Sequence, residues 1–176
     1  MISYDKLKNI LLKNRDIPYP NIPHIYANSN YINLLYDLYA GEKASELTAI
    51  TQYIYQHIDL KKEETISKIL KDISIQEMKH LEILGEIIKI LGGKPIYKSS
   101  KGNMWSAGNV TYRTNSLEQL INNNIKAEEY AIDAYRRIQK YTSNLYLRQI
   151  YERIIQDELT HLEIFNLILD DLKRED

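Results

Sequence analysis

The feature that most constrains the fold of this 176-residue chain is the motif Glu-x-x-His, which occurs twice. The copies are Glu77/His80 and Glu158/His161, 81 residues apart. A carboxylate and an imidazole three residues apart on a helix project from one face, so both can reach a single metal ion. Two such pairs, with one more glutamate from each half of the chain, form the ligand set of a two-metal site inside a four-helix bundle.

A second motif, Glu-x6-Tyr, precedes each of these pairs. Its copies are Glu46/Tyr53 and Glu128/Tyr135, and an alanine follows the glutamate by three residues in both. One copy of either motif carries little weight, because this composition produces such pairs by chance. Two copies of each in matching order indicate an internal repeat, and we expect a pseudo-twofold axis to bring the two half-sites together.

Apolar residues at helical spacing predict four long helices, each broken near its middle by polar residues of the two motifs. The predicted helices span 31–58, 62–91, 116–141 and 145–173. A short helix within 3–14 precedes the segment PYPNIP (18–23), whose prolines require an extended or turn conformation. We therefore expect an N-terminal extension, residues 1–30, followed by an all-α bundle, residues 31–176.

The lengths of the connections predict the topology. Short links near 59–61 and 141–144 make each pair of neighbouring helices antiparallel, and a Thr-Ser-Asn sequence in the second link offers a helix N-cap. The loop of about 24 residues at 92–115 can run the length of the bundle. Two antiparallel hairpins joined by one long crossover are therefore expected, with Trp105 as a packing anchor of the crossover.

Charge balance predicts the number of metal ions. Buried carboxylates cost several kcal/mol each unless they are paired or bound to a metal, and two divalent cations cancel four of them. Glu77 and Glu158 share helices with the histidines and are the expected bridges, whereas Glu46 and Glu128 would each bind one ion. Oxygen-rich ligation with imidazole suits iron or manganese. The six proposed metal ligands are Glu46, Glu77, His80, Glu128, Glu158 and His161.

Other polar residues of the predicted helices have weaker support as parts of the metal site. Tyr53 and Tyr135 lie two turns from Glu46 and Glu128, and we expect them to bond the acidic ligands across the bundle. Glu42 and Asn124 lie one turn before those glutamates, where a polar bundle end is the favoured interpretation. The remaining histidines lie outside the pattern and are treated as surface residues: His24 and His57.

Composition excludes several classes of protein. The chain has no cysteine, which rules out disulfides, thiolate metal sites and a cysteine nucleophile. A net charge of −1 gives no polyanion-binding surface, so nucleic acid is not an expected partner. No stretch is long and apolar enough to span a membrane, and the N-terminus lacks the pattern of a secretory signal, so a cytoplasmic protein is expected.

The fourfold order of the motifs resembles that of the rubrerythrin-like branch of the ferritin-like superfamily. The strings SELTAITQYIYQ (45–56) and QEMKHLEILG (76–85) also look like the manganese catalase side of this superfamily. The likeness covers about 31–173 and implies a ferritin-like bundle with two iron or manganese ions. Rubrerythrins usually carry a rubredoxin domain with four cysteines, whereas this sequence contains no cysteine, and Ala131 stands where many rubrerythrins have an additional glutamate.

The resemblance implies an oxidoreductase acting on hydrogen peroxide or dioxygen. The leading hypothesis is a rubrerythrin-like peroxidase that receives electrons from a separate donor protein, with Glu77 and Glu158 as the carboxylates that carry protons. The alternatives are manganese catalase-like disproportionation of peroxide, ferritin-like oxidation and storage of ferrous iron, and a bundle that retains the ligands without turnover. A homodimer or a higher homo-oligomer is expected.

Overall fold

The structure is a computed structural model that describes residues 2–22, 31–41, 44–112 and 114–175. Within these residues it contains six α-helices and no strand. Their bounds are α1 Tyr4–Leu11, α2 Ile32–Ala40, α3 Glu46–Asp59, α4 Glu64–Ile90, α5 Leu117–Tyr141 and α6 Leu145–Glu175.

The four longest helices form two hairpins, α3 with α4 and α5 with α6, which pack together as one bundle. Short links at 60–63 and 142–144 connect the helices of each hairpin. In the second link the Asn144 side chain accepts a hydrogen bond from the Leu147 backbone at 3.1 Å, which caps α6. The predicted all-α bundle of two antiparallel hairpins joined by a crossover is confirmed.

The crossover loop, residues 91–116, lies against α2 and α3. The Trp105 indole donates to the Thr48 hydroxyl at 2.9 Å, and the Thr111 backbone donates to the Gln52 side chain at 3.1 Å. Trp105 also packs against the apolar core. It is the anchor that the sequence predicted.

The predicted helix over 31–58 is wrong in one respect, because it is two helices, α2 and α3. Gly41 ends α2 with extended backbone, and a Cβ there would lie 2.3 Å from the Asp37 carbonyl oxygen. Ser45 then caps α3, where its hydroxyl accepts from the Thr48 backbone at 3.4 Å. Gly and Ser are ordinary helix stop and start signals. The break places Glu46 in the first turn of α3.

Two apolar clusters fill the bundle, one at each end. The first joins α2 to the later part of α4 and the earlier part of α6, and includes Leu84, Tyr135 and Tyr151. The second joins α1 to the other ends of the long helices and includes Leu70 and Phe165. The polar residues of the two motifs lie between these clusters, so the apolar ends of the bundle stabilise a polar middle layer.

The N-terminal part of the chain packs on the bundle instead of standing apart from it. Helix α1 contacts α4 and α6, with Leu7 fully buried. Asp72 on α4 accepts from the Tyr4 hydroxyl at 2.6 Å and pairs with Lys8 at 2.8 Å. As predicted, residues 18–22 are not helical. No helix among the described residues is long and apolar enough to cross a membrane.

Candidate dinuclear metal centre

The six proposed ligands come from four helices and meet in the polar middle layer. Glu46 begins α3, Glu128 lies in the middle of α5, and the two Glu-x-x-His pairs lie in the middle of α4 and α6. Every one of these side chains is buried, with at most 3% of its surface exposed. Helical geometry places each histidine one turn after its glutamate, which explains why both reach the same centre.

The six residues divide into two overlapping groups, each able to hold one metal ion. Within each group the ligand atoms lie within 4.8 Å of one another. Glu77 and Glu158 belong to both groups, so each offers a carboxylate to both of them. The first group is Glu46, Glu77, His80 and Glu158, and the second is Glu77, Glu128, Glu158 and His161.

The two groups have closely similar geometry. The Nδ1 atom of His80 lies 2.9 Å from Glu77 and 3.1 Å from Glu158. The Nδ1 atom of His161 lies 3.2 Å from Glu158 and 3.1 Å from Glu77. The third carboxylate of each group, Glu46 or Glu128, lies 3.6 Å from the corresponding Nδ1. The internal repeat of the sequence therefore appears as a pseudo-twofold arrangement of side chains.

The tyrosines of the Glu-x6-Tyr motif reach across the bundle. Tyr53 on α3 donates a hydrogen bond to Glu128 on α5, and Tyr135 on α5 donates one to Glu46 on α3. Burial and then the charge of the bonded glutamate raise the pKa of each tyrosine well above its ordinary value. Both phenols therefore remain protonated donors that fix the orientation of a carboxylate.

The bridging carboxylates and the histidines hold opposite charges in the metal-free centre. Burial raises the pKa of Glu77 and Glu158, but the two imidazoles lower it further, to below the ordinary value. Burial lowers the pKa of His80 and His161, but the carboxylates, first Glu158 and Glu77 respectively, raise it well above the ordinary value. The two imidazoles and these two carboxylates thus stabilise opposite charges on one another.

The remaining two carboxyl groups behave differently. Burial, followed by the charge of Glu77, raises the pKa of Glu46 well above its ordinary value. Burial and the charge of Glu158 do the same to Glu128. Two divalent cations with four carboxylates and two neutral imidazoles would form a neutral centre.

The donor set fits a pair of divalent metal ions. The Oε1 atoms of Glu77 and Glu158 are buried, make no hydrogen bond, and lie 3.1 Å from the Nδ1 atoms of His161 and His80. A buried carboxylate oxygen without a hydrogen bond is costly, and a bound cation would remove this cost. Four carboxylates and two imidazoles suit iron or manganese.

Sequence reasoning missed the residues that contact the Nε2 atom of each imidazole, on the side away from the carboxylates. The Nε2 atom of His80 lies 3.3 Å from Asp157, and that of His161 lies 3.1 Å from Gln76. These two residues occupy the same position of the repeat, because each immediately precedes the glutamate of a Glu-x-x-His pair. This shared position was the available signal.

The minor polar candidates lie away from the ligand atoms. Asn124 is fully buried and bonds Gln52 and Gln56, both at 3.1 Å, in an amide cluster beneath the crossover loop. His57 is half-buried, and its ring contacts Ser67 across the α3–α4 link. Glu42 and His24 lie outside the described residues.

Two neighbouring cavities lead to the carboxylates between α3 and α5. The outer cavity, of about 530 Å³, opens under the crossover loop. The inner one, of about 20 Å³, is lined by all four ligand glutamates and shares Ala44, Gln52 and Ala127 with the outer cavity. Ala131 also lines the inner cavity, where a longer side chain would fill it. The inner space has room for one molecule of about the size of water.

The model of the ferritin-like domain family matches residues 42–175. Among individual proteins, the chain is 31% identical over 137 residues to a bacterioferritin of Desulfovibrio desulfuricans. This match covers 74% of this chain and 72% of that protein. It is 24% identical over 169 residues to a probable manganese catalase of Clostridium acetobutylicum, which covers 84% of this chain and 74% of that protein.

Solved structures show the same two kinds of relative. The manganese catalase KatB from Anabaena PCC7120 superposes with a TM-score of 0.78 at 26% identity, covering 89% of this chain and 78% of KatB. A Desulfovibrio desulfuricans bacterioferritin, described as having a diiron site, superposes with a TM-score of 0.70 at 28% identity, covering 83% of this chain and 81% of that one.

Proposed function

The chain belongs to the ferritin-like domain family, and from this premise we propose that it is a two-metal oxidoreductase acting on hydrogen peroxide or dioxygen. The observation that carries the proposal is the pair of overlapping ligand groups that share Glu77 and Glu158. Such a ligand set would hold two ions side by side, where both could contact the two oxygen atoms of dioxygen or peroxide. We propose iron or manganese as the two ions.

The protein residues would hold the ions and handle protons. Bound iron or manganese would supply the electrons, one from each ion. The reduction of peroxide to two waters also consumes two protons. Glu77 and Glu158 line the inner cavity, and we propose that they carry these protons. Glu46 and Glu128 line the same cavity and would complete the ligand set of the two ions.

The inner cavity supports a small substrate. Its volume of about 20 Å³ favours a very small molecule, and its walls combine alanines with the four carboxylates. Ala131, which replaces a glutamate found in many rubrerythrins, keeps this space open. The proposed substrates are therefore dioxygen and peroxide, which reach the carboxylates from the α3–α5 face of the bundle.

We propose a peroxidase that takes its electrons from a separate donor protein. A peroxidase consumes one equivalent of a two-electron reductant for each peroxide and releases no oxygen. The test is to add peroxide to protein isolated with its native metal, in the presence and absence of a chemical reductant, while oxygen and reductant are measured. Oxygen release without any reductant would contradict the peroxidase.

Catalase activity is the second candidate, and the superposition on KatB over 89% of this chain favours it. A catalase converts two molecules of peroxide into one of oxygen and two of water without an external reductant. The same experiment therefore separates the two reactions. Metal analysis of the native protein adds a second criterion, because manganese favours the catalase and iron the peroxidase.

Oxidation of ferrous iron is the third candidate, favoured by the 31% identity with a bacterioferritin. Iron storage requires a closed shell of many subunits, whereas a peroxidase or a catalase functions as a smaller homo-oligomer. Mass by light scattering, combined with the number of iron atoms taken up per chain, tests this function. Uptake that stops at two ions per chain would contradict storage.

Glu128→Gln tests whether any of these activities belongs to the proposed centre. It is matched by Glu129→Gln, which changes the neighbouring, exposed glutamate of the same helix. We expect the first variant to lose metal and activity and the second to retain both. Equal activity in the two variants would contradict all three functions at this centre. The bundle would then retain the ligands without using them for turnover.

A further inference from the structure

The two imidazoles of the centre are held on their outer faces by different chemical groups. His80 Nε2 faces the carboxylate of Asp157 at 3.3 Å, whereas His161 Nε2 faces the amide oxygen of Gln76 at 3.1 Å. Both contacts cross from one Glu-x-x-His helix to the other. Because an N–H must donate to these oxygens, Nδ1 is the nitrogen left to bind a metal.

The carboxylate of Asp157 is itself fixed. It is fully buried, pairs with the Arg153 guanidinium at 2.5 Å and accepts from the Tyr19 hydroxyl at 2.5 Å. By contrast Gln76 is half-buried, and among the described residues its side chain has no hydrogen bond other than that to His161. One imidazole thus has a charged, immobilised partner and the other a neutral, freer one.

A segment far away in the sequence immobilises Asp157. Arg153 donates to the backbone oxygens of Ile17 at 2.8 Å and Asn14 at 2.9 Å, and its guanidinium stacks 4.5 Å from the Tyr19 ring centre. The Tyr19 ring in turn meets the His80 ring edge-on at 6.1 Å. We name residues 14–19 the N-terminal clamp. The clamp covers the outside of the His80 group, whereas the hydrogen-bond partner of His161 Nε2 among the described residues is Gln76.

We propose that Asp157, held by Arg153 and the N-terminal clamp, is a positioning residue that makes the two metal positions unequal. The position at His80 binds a divalent cation more tightly than the position at His161. A carboxylate that accepts from the imidazole N–H makes the opposite nitrogen a stronger ligand and fixes the ring, and loss of such a partner typically lowers metal affinity about 10- to 100-fold. The inference rests on the two-metal centre proposed above.

The test is a titration of the metal-free protein with cobalt(II), followed by calorimetry and visible absorption. We expect two binding steps whose dissociation constants differ by about 10- to 100-fold. Nitrogen-15 labelling of histidine assigns the steps, because the chain has only four histidines and their signals can be followed one by one. The His80 signal is expected to respond in the first step and the His161 signal in the second.

Two variants and one control complete the test. Asp157→Asn should weaken the first step about 10- to 100-fold and leave the second unchanged. Gln76→Glu places a carboxylate at the other position and should strengthen the second step, which keeps the inference testable if Asp157→Asn does not fold. Asp170→Asn, at an exposed aspartate of α6, should change neither step.

The possible outcomes separate this inference from the proposed function. Two ions that bind with equal affinity, or a second step that Gln76→Glu leaves unchanged, would overturn the inference while the two-metal centre stands. Binding of fewer than two ions per chain would overturn the proposed function itself.

Discussion

On the inner side of the metal centre, the His80 group and the His161 group have nearly the same geometry. The corresponding distances from Nδ1 to the three carboxylates are 2.9 and 3.2 Å, 3.1 and 3.1 Å, and 3.6 and 3.6 Å. On the outer side the groups differ, with a fixed aspartate against one imidazole and a half-buried glutamine against the other. The repeat is therefore retained where residues converge on a shared centre and has diverged where each half meets a different neighbour.

The largest expected effect comes from the residues that the two groups share. Because Glu77 belongs to both groups, Glu77→Gln should lower the content of bound metal from about two ions per chain to below one. The measurement is elemental analysis after saturation and removal of free metal. Glu86→Gln, at an exposed position of α4, is the control and should retain the full content. Loss of a single ion would show that the two positions are more separate than the geometry indicates.

The second effect concerns pH and involves both groups together. In the metal-free protein the pKa values of the two histidines and of Glu46 and Glu128 are raised, so these groups favour folding at low pH. Their contribution is lost as pH rises from the ordinary values, about 4.5 for glutamate and 6.5 for histidine, through the raised ones. The lowered pKa values of Glu77 and Glu158 act oppositely, and their contribution is lost as pH falls below about 4.5.

We therefore expect the metal-free protein to be less stable at pH 9 than at pH 6, whereas the affinity for metal rises over this interval. Metal binding should release protons, because the ligands with raised pKa values must lose their protons to bind a cation. Calorimetry in buffers with different ionisation enthalpies measures this release. Metal binding without any proton release would contradict the raised pKa values.

The third effect compares the two tyrosines. Tyr53→Phe and Tyr135→Phe each remove a buried hydrogen bond to a carboxylate, which should cost about 1.5–3 kcal/mol of the free energy of unfolding. Chemical denaturation measures both costs, with Tyr146→Phe as the exposed control. Because the two ligand groups have nearly the same geometry, the two costs should agree. A difference above about 1 kcal/mol would show that the inner symmetry does not extend to the energetics.

The smallest effect concerns the position in its helix of the glutamate that belongs to only one ligand group, Glu46 or Glu128. Glu46 follows the N-cap Ser45 directly, whereas Glu128 lies three turns into α5, far from the N-cap Ser116. Ser45→Ala should cost about 1–2 kcal/mol and also weaken metal binding, because it loosens the turn that carries Glu46. Ser116→Ala should cost at most about 1 kcal/mol and leave metal binding unchanged. Equal effects on metal binding would contradict the link between the cap and the site.

The ligand set and the hairpins could be predicted because both depend on local patterns. Spacing of three residues on a helix places Glu77 and His80 together whatever the rest of the chain does. Link lengths of a few residues force antiparallel neighbours in the same way. The break between α2 and α3 was also encoded, by Gly41 and Ser45, but the continuous apolar stripe on both sides of it concealed these signals.

The residues that contact the Nε2 atoms of the two histidines could not be predicted from the pattern of the motifs. A polar residue before a buried glutamate is equally compatible with an exposed position, so the shared position of Gln76 and Asp157 in the repeat was too weak a signal to predict their contacts. Their contacts depend on which helix packs against their own helix and on the relative position of the two helices along the bundle axis. The half-buried environment of His57 likewise depends on the link that folds back over it.

The sequence alone determined that this protein is an all-α bundle with four carboxylates and two imidazoles in its middle layer, since helical periodicity and repeated motifs are properties of neighbouring residues. Only the tertiary structure decided that the two halves differ outside that layer. The contact between Tyr19 and Asp157 joins residues 138 positions apart, and the small cavity beside Ala131 is bounded by several helices. Such features follow from the packing of elements against one another, which no local pattern of residues specifies.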